Sequence, residues 1–201
     1  MLGLPKATEL HKQLPKKAIY AKFQMNMAAK EKIDSDISRI TIVNEISPAK
    51  VHIAEGKQVK TFFVALVALK KKDFDERTIV TISKLIPQNM LLVLEYGEQA
   101  KLAVYHTKLM QTQWQVKDSF TLLLKGLTLD AVWENIVVQV GNFELKSGTS
   151  LDEQIAVDDR RKKLGKEINR LDKLARKEKQ PKKKFELAQQ INKLKGELGI
   201  L

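Results

Sequence analysis

Residues 62–69 read FFVALVAL, an apolar run of strand length and the longest in the chain. A strand with apolar side chains at every position needs cover on both faces, as a strand at the centre of a sheet has. Upstream, residues 40–46 alternate apolar and polar side chains, and residues 51–53 alternate again before a turn at Glu55-Gly56. We therefore predict a hairpin whose second strand, 62–69, is buried on both faces.

The segment before this hairpin has the residue spacing of helices. Thr8 is a candidate cap for a first helix beginning at Glu9, and Pro15 breaks that helix. A second helix is predicted over 26–40, because apolar residues recur there three and four positions apart. These residues are Met27, Ile33, Ile37 and Ile40.

Helix and strand patterns alternate after residue 69. Asp75 can cap a helix over 76–86, which ends before Pro87. The apolar segments that follow predict four strands, at 90–94, at 101–105, around 114 and at 119–124. The first two of these strands form a second hairpin, because the residues between them include a turn at Gly97.

The last helix of this part of the chain begins at Thr128 or Asp130 and ends at Gly141. Trp133 lies on its apolar face, and we expect its ring in the core. The order of elements predicts an α+β fold, a mixed β-sheet body with flanking helices over residues 1–146. A polar, Gly- and Ser-containing linker is predicted at 147–151.

Residues 152–201 predict an antiparallel helical hairpin, a short coiled coil. Each helix carries an apolar stripe: Ile155, Leu164, Ile168, Leu171 and Leu174 in the first, and Phe185, Ala188, Ile191, Leu194 and Leu198 in the second. Pro181 separates the stripes, because proline cannot continue the first helix but can open the next. Each helix of about 17 residues would be roughly 25 Å long.

The net charge of +12 is concentrated in this hairpin. Residues 160–195 hold fifteen Lys or Arg against four Asp or Glu, a net of +11, and the rest of the chain carries only +1. This excess is more than solubility requires and favours contact with phosphate groups, independent of base sequence. The predicted nucleic-acid-binding residues are Arg160, Arg161, Lys162, Lys163, Lys166, Arg170, Lys173, Arg176, Lys177, Lys179, Lys182, Lys183 and Lys184. A solvated coiled-coil face, or a docking arm for an acidic protein, is the alternative.

Composition excludes several other classes of function. The chain has no cysteine, which removes disulfides, cysteine–zinc sites and thiol catalysis. It has no apolar run long enough for a membrane helix and no signal-peptide pattern, so we expect a cytoplasmic protein without membrane contact. Phosphate-loop, dinucleotide and serine-hydrolase motifs are missing, and the three histidines lack metal-ligand spacing. We predict no catalytic residue, cofactor or metal.

One pattern keeps an enzymatic alternative open. Restriction-type nucleases use an acidic residue followed by Asp/Glu-x-Lys, because the carboxylates hold a divalent metal and the lysine assists the attacking water. Glu55-Gly56-Lys57 fits the tripeptide, and Glu45 could be the upstream acid. Gly56, however, favours a turn over a strand, and the run 62–69 contains no acid. We therefore favour a hairpin turn over a nuclease site.

Trp114 is the predicted interface residue of the body. It lies among Gln111, Gln113 and Gln115, and this polar neighbourhood favours an exposed ring that could contact a partner.

Several segments resemble one family of bacterial proteins, the domain-of-unknown-function family forty-three ninety-one, nearly end to end. They are residues 2–20 (LGLPKATELHKQLPKKAIY), 40–59 (ITIVNEISPAKVHIAEGKQV), 86–96 (IPQNMLLVLEY), 113–115 (QWQ) and 126–140 (GLTLDAVWENIVVQV), followed by the lysine-rich coiled coil. Members tend to be encoded beside DNA methyltransferases, Swi/Snf-type helicases and restriction-like ATPases. The resemblance implies a small accessory component of a DNA-modification or anti-phage defence system, and it supplies no catalytic residues.

These observations lead to three hypotheses. The first is a non-enzymatic accessory subunit, whose body docks on a larger helicase or methyltransferase and whose hairpin contacts DNA or that partner. The second is a divergent metal-dependent nuclease using Glu45, Glu55 and Lys57. The third is an RNA-binding protein, because basic helical arms also grip structured RNA.

Overall fold

The computed structural model describes residues 2–145 and 148–200. The chain divides into two compact units, residues 1–142 and residues 143–201. The first unit is a mixed β-sheet with flanking helices, and the second is a helical hairpin, so the predicted α+β architecture is confirmed. None of the helices in the described ranges is long and apolar enough to cross a bilayer.

The sheet has seven strands in the order β1-β2-β3-β4-β5-β6, and the short β7 also pairs with β5. The strands are β1 (Glu9–Leu14), β2 (Ile37–Ile46), β3 (Phe62–Leu69), β4 (Asn89–Tyr96), β5 (Gln99–Tyr105), β6 (Leu109–Gln111) and β7 (Gln115–Val116). All neighbours are antiparallel except β3 and β4, which are parallel and need a crossover connection. The helix between them supplies it.

The apolar run 62–69 forms β3 at the centre of the sheet, as predicted. Its residues alternate between the two faces of the sheet. Ala65 and Val67 belong to a core shared with the two helices α2 (Met27–Asp36) and α4 (Glu76–Leu85). On the other face, Phe62 meets Trp133 of α5 (Leu129–Gly141), with ring centroids 5.3 Å apart. The predicted burial of Trp133 is confirmed, since only 3% of it is exposed.

Several helix starts and both strands of the second hairpin lie where the sequence places them. Asp75 accepts a hydrogen bond from the N–H of Arg77 at 2.8 Å and begins α4. Thr128, rather than Asp130, caps α5 through the N–H of Ala131 at 3.4 Å. Strands β4 and β5 pair across the turn at Gly97, which adopts a positive φ of 58°.

The predicted helix beginning at Glu9 is wrong, because residues 9–14 form β1, which pairs antiparallel with β2. The helix predicted over 26–40 is too long: α2 ends at Asp36 and β2 begins at Ile37. Ile37 and Ile40 fit a helical spacing with Ile33, but both lie in β2 and are buried in the core beside the sheet. Tertiary pairing outweighs local periodicity here. A first helix does exist further on, α1 (Lys16–Lys22).

The strand predicted at 51–53 is also wrong. Residues 48–51 form the single-turn helix α3 (Pro48–Val51), and the chain reaches β3 through an irregular segment. The strand predicted around 114 falls between β6 and β7, and that at 119–124 is reduced to one bridge between Thr121 and Leu2. Short apolar runs cannot by themselves distinguish a strand from a covered loop.

The second unit contains α6 (Leu151–Lys177) and α7 (Pro181–Ile200), which pack against each other as a hairpin. At 1.5 Å per residue they are about 40 Å and about 30 Å long, so both exceed the predicted length. Of the predicted linker 147–151, Ser147 lies outside the described residues.

Candidate nucleic-acid interface

The hairpin begins with a capping box. Ser150 accepts a hydrogen bond from the N–H of Glu153, whose carboxylate accepts one in return from the N–H of Ser150 at 3.0 Å. These bonds satisfy backbone donors that the first turn of a helix leaves free. The backbone N–H of Ser150, together with its hydroxyl, lowers the pKa of Glu153. The carboxylate therefore stays ionised, which also suits the positive end of the α6 dipole.

The turn between the helices is fixed by Glu178 and Pro181. The helix α6 ends at Lys177, and the carboxylate of Glu178 accepts a hydrogen bond from the N–H of Gln180 at 2.9 Å. That bond is the main cause of the lowered pKa of Glu178. Pro181 opens α7, as predicted from its fixed φ and missing N–H.

The two helices meet along a narrow apolar seam. Leu171 and Ile191 are its buried residues, and Leu164, Ile168, Leu187, Leu194 and Leu198 are half-buried. Most of the predicted stripe is thus confirmed, but Leu174 and Phe185 are 45% and 64% exposed, and Ala188 is exposed as well. A helix with a single partner can cover only one narrow stripe, and Leu187 takes the position that the sequence pattern gave to Phe185 and Ala188.

All thirteen predicted nucleic-acid-binding side chains are exposed. On α6, Lys162, Lys166, Lys173 and Lys177 fall within about 60° of one another around the helix axis, at about 100° per residue. Leu171 of the seam lies about 180° from Lys162 on the same count. Lys162, Lys166 and Lys173 therefore lie on the face of α6 that points away from α7, whereas Lys177, at the end of the helix, lines a groove with Leu187 of α7.

Among the described residues, four of the thirteen cations are held by carboxylates. They are Arg160 with Glu197, Lys162 with Asp158, Arg170 with Glu167 and Arg176 with Asp172. The guanidinium of Arg170 lowers the pKa of Glu167 through two hydrogen bonds of 2.7 and 2.9 Å. Exposed pairs of this kind are screened by solvent and contribute little, so a phosphate can compete for the cation.

The other nine cations have no carboxylate oxygen within 4.0 Å among residues 2–145 and 148–200. They are Arg161, Lys163, Lys166, Lys173, Lys177, Lys179, Lys182, Lys183 and Lys184. Five of them, which we call the tip lysines, surround the turn: Lys177, Lys179, Lys182, Lys183 and Lys184. Residues 177–186 hold these five lysines and two acids, Glu178 and Glu186, so the segment carries a net charge of +3 and presents a positive potential to an approaching anion.

The ring of Trp114 is half-buried instead of freely exposed. It packs against the core that α2 and α4 share with the sheet. The amino groups of Lys72 and Lys101 lie 5.6 and 5.2 Å from its centroid, within the range of a cation–π contact. Lys101 also lies 4.7 Å from the ring of Phe74, and burial lowers its pKa. The predicted interface role of Trp114 stays a prediction.

The residues of the nuclease hypothesis have other partners. Glu45 forms an ion pair with Lys50 at 2.6 Å, and Glu55 forms one with Lys60 at 3.1 Å. Within the described ranges, no three His, Cys, Asp or Glu side chains are grouped to hold a metal ion. The Glu55-Gly56-Lys57 tripeptide lies in a loop, as its glycine indicates.

That loop has a structural role that sequence analysis missed. The carboxylate of Asp130 accepts hydrogen bonds from three consecutive backbone N–H groups, those of Lys57 at 2.7 Å, Gln58 at 3.1 Å and Val59 at 2.7 Å. Successive backbone N–H groups that bind one anion in this way form a nest. A glycine in a turn is the sequence signal for this arrangement, but the carboxylate that it binds lies more than seventy residues away.

Comparison with known proteins gives one match. A family model described as "Domain of unknown function (DUF4391)" matches residues 2–198. The chain belongs to this family. No curated protein and no solved structure matches the DUF4391 chain. Since the DUF4391 match covers both units, the sheet and the basic hairpin are parts of one family architecture.

Proposed function

We propose that this chain is a non-enzymatic accessory subunit that contacts DNA through its basic hairpin, independently of base sequence. The observation that carries the proposal is the set of nine exposed cations without a carboxylate within 4.0 Å in the described part of the chain. Cations without a carboxylate partner, on two packed helices and the turn between them, can neutralise phosphates, and binding would release the counterions of DNA.

The tip lysines set the expected strength of this electrostatic attraction. If all five contact phosphates, the logarithm of the binding constant falls with the logarithm of salt concentration with a slope of about −4.5. Contacts to phosphate carry no information on base sequence, because every nucleotide presents the same group. Specificity for a site would then come from a partner protein.

The accessory role rests on the family resemblance and on what the sheet unit presents. The three acidic residues that could have suggested a metal site, Glu45, Glu55 and Asp130, are engaged in ion pairs or backbone hydrogen bonds. The resemblance favours a larger helicase or methyltransferase of a bacterial DNA-modification or defence system as the partner on which this unit docks. Such a complex acts where the DNA is, and we place the protein in the cytoplasm for that reason.

The test is a gel-shift titration of duplex DNA with a triple variant, Lys182→Glu, Lys183→Glu and Lys184→Glu. The matched control is Lys6→Glu, Lys17→Glu and Lys125→Glu, which changes three exposed lysines of the sheet unit. Both variants lower the net charge from +12 to +6, so they differ only in where the charge is lost. We expect the first variant to lose binding and the control to retain most of it.

Equal affinity of the wild type and the first variant contradicts the proposal, as does an equal loss in both variants. Competition between duplex DNA and structured RNA of equal length separates the DNA proposal from the RNA alternative. We expect RNA to displace DNA no better than unlabelled DNA does. Preferential displacement by RNA would favour the RNA hypothesis instead.

A further inference from the structure

Phe185 stands out on the surface of the hairpin. Its side chain is 64% exposed, the most exposed aromatic ring among the described residues. The apolar pattern of α7 predicts this residue in the seam, but Leu187 and Ile191 occupy the seam and set the rotation of the helix. At about 100° per residue, Phe185 then lies about 160° from Leu187, on the opposite side of α7.

The surroundings of this ring are cationic and polar. On a helix surface the neighbours of a residue are those three and four positions away, here Lys182 on one side and Gln189 on the other. Both neighbours are exposed; in the chain, Lys183 and Lys184 precede the ring directly and Glu186 follows it. An exposed aromatic ring at the most basic point of the molecule combines the two elements that bind single-stranded nucleic acid, a stacking surface and backbone-neutralising charges.

We propose that Phe185 stacks on an unpaired base while Lys182 and Lys184, the α7 tip lysines nearest to the ring around the helix, hold the flanking phosphates. This inference rests on the proposed function and deepens it, because it assigns the hairpin tip to single-stranded DNA or to an opened end of a duplex. Bases inside a duplex are already stacked on one another and offer no free face, so Phe185 distinguishes the two forms. The lysines do not, because both forms carry phosphates.

The rest of the tip fits this assignment. Leu174 is 45% exposed and lines an open groove of about 460 Å³ with Leu187. Two lysines and two acids, Lys177, Lys183, Glu178 and Glu186, also line this groove, so their charges balance. This groove lies on the Leu187 side of α7, away from Phe185. It lacks an aromatic ring, so a base lying there would find an apolar floor but no stacking partner. Leu174 therefore serves as a control residue, equally near the turn but not aromatic.

The experiment measures the affinity of the full chain for two fluorescent probes of equal length, an oligothymidylate and a duplex, by anisotropy. The variants are Phe185→Leu, which keeps apolar bulk but removes the ring, Phe185→Tyr, which keeps the ring, and Leu174→Ala. Circular dichroism and thermal unfolding verify that each variant retains its helices. Since Phe185 lies outside the seam, we expect all variants to fold.

We expect Phe185→Leu to weaken oligothymidylate binding at least about fivefold, the equivalent of about 1 kcal/mol for one stacked base, with duplex affinity unchanged. Phe185→Tyr and Leu174→Ala should stay within about twofold of wild type. An oligothymidylate containing 2-aminopurine should show quenched fluorescence with the wild type but not with Phe185→Leu.

Unchanged oligothymidylate binding by Phe185→Leu would overturn the inference, and so would an equal loss on both probes. The triple lysine reversal distinguishes this failure from failure of the proposed function. If the reversal weakens both probes and Phe185→Leu weakens neither, phosphate contact stands and base stacking is wrong. If the reversal weakens neither probe, the proposed function itself is wrong.

Discussion

The carboxylate of Asp130 accepts a hydrogen bond from the backbone N–H of Val59 at 2.7 Å, joining the first turn of α5 to a loop 71 residues earlier in the chain. The N–H groups of Lys57 and Gln58 bind the same carboxylate. Together these hydrogen bonds hold the loop before β3 against α5, the helix that packs on one face of the sheet. The segment that resembles a nuclease motif is thus a binding site for the protein's own carboxylate.

Gly56 lets this carboxylate approach. A Cβ at this position would lie 2.3 Å from Oδ1 of Asp130 and 2.7 Å from its backbone nitrogen. We predict that Gly56→Ala lowers the free energy of unfolding by about 1–3 kcal/mol, because the loop must shift and lose hydrogen bonds. Urea unfolding monitored by circular dichroism measures the change.

Gly165 provides the matched control for this substitution. It lies inside α6, and a Cβ there would meet no atom within 4 Å. Gly165→Ala should raise helix stability by up to about 1 kcal/mol, because glycine is a poor helix former. Equal effects of the two substitutions would contradict the assigned role of Gly56.

The lowered pKa of Asp130 predicts that the stability of the folded protein depends on pH. The N–H of Val59, followed by those of Lys57 and Gln58, outweighs burial and lowers the pKa of Asp130. A carboxylate with a lowered pKa in the folded state stabilises fully above its unfolded pKa, about 3.9, and loses that contribution as the pH falls through the folded value. The melting temperature of the wild type should therefore exceed that of Asp130→Asn most at neutral pH.

The difference between these two proteins should shrink as the pH falls below about 4. Asp73→Asn serves as the control, since this exposed carboxylate has no hydrogen bond or ion pair in the described part of the chain. The prediction is contradicted if the difference in melting temperature between wild type and Asp130→Asn stays constant from neutral pH to about pH 3. The loop would then bind the side chain of Asp130 independently of its charge.

The carboxylate of Asp36, the last residue of α2, binds the start of α4. Its buried carboxylate accepts hydrogen bonds from the hydroxyl of Thr78 at 2.8 Å and the N–H of Asp75 at 3.2 Å, and forms an ion pair with Lys71 at 2.7 Å. Burial raises its pKa, but these contacts outweigh burial and leave the pKa below its ordinary value. We predict that Asp36→Ala lowers the free energy of unfolding by about 2–3 kcal/mol.

Thr78→Val isolates one of these bonds and should lower stability by about 1 kcal/mol. Denaturant titrations of both variants supply the numbers. A loss for Asp36→Ala no larger than that for Thr78→Val would mean that the carboxylate does not act as the shared acceptor.

Substitution of Trp114 tests whether its ring belongs to the core or to an interface with a partner. Since its ring packs against the core and against Lys101, which is 9% exposed, Trp114→Ala should lower the free energy of unfolding by about 1–3 kcal/mol. Thermal unfolding measures this loss. An unchanged melting temperature would instead mean that the ring is free for a partner, as its glutamine neighbours suggest.

The sequence predicts this fold wherever local pattern and tertiary environment agree. The run 62–69, the cap at Asp75 and the start of α7 at Pro181 are such places, because burial, capping and proline geometry depend on few neighbours. Residues 9–14 differ, because their strand exists only through pairing with β2. The nest of Asp130 needs two distant segments at once, and no local pattern contains both.

The exposed cations of the candidate interface were predictable, because exposure depends mainly on residue type. Exposure of the thirteen cations follows from their charge, because lysine and arginine are rarely buried without a partner. Three of the four cation–carboxylate pairs join residues three or four positions apart on α6, a spacing that the sequence shows. The pair of Arg160 with Glu197 and the exposure of Phe185 depend on how α7 is rotated against α6. Both Phe185 and Leu187 fit an apolar stripe, and only the packing of α7 against α6 decides between them.

The most direct test of the central claim is the salt dependence of duplex DNA binding by the full chain, between about 50 and about 200 mM salt. We predict a log–log slope of about −4.5 for the wild type, and a slope shallower by about 2.7 units for Lys182→Glu, Lys183→Glu and Lys184→Glu. The control Lys6→Glu, Lys17→Glu and Lys125→Glu should keep the wild-type slope. A wild-type slope near zero, or the same slope in all three proteins, would contradict phosphate contact by the hairpin tip.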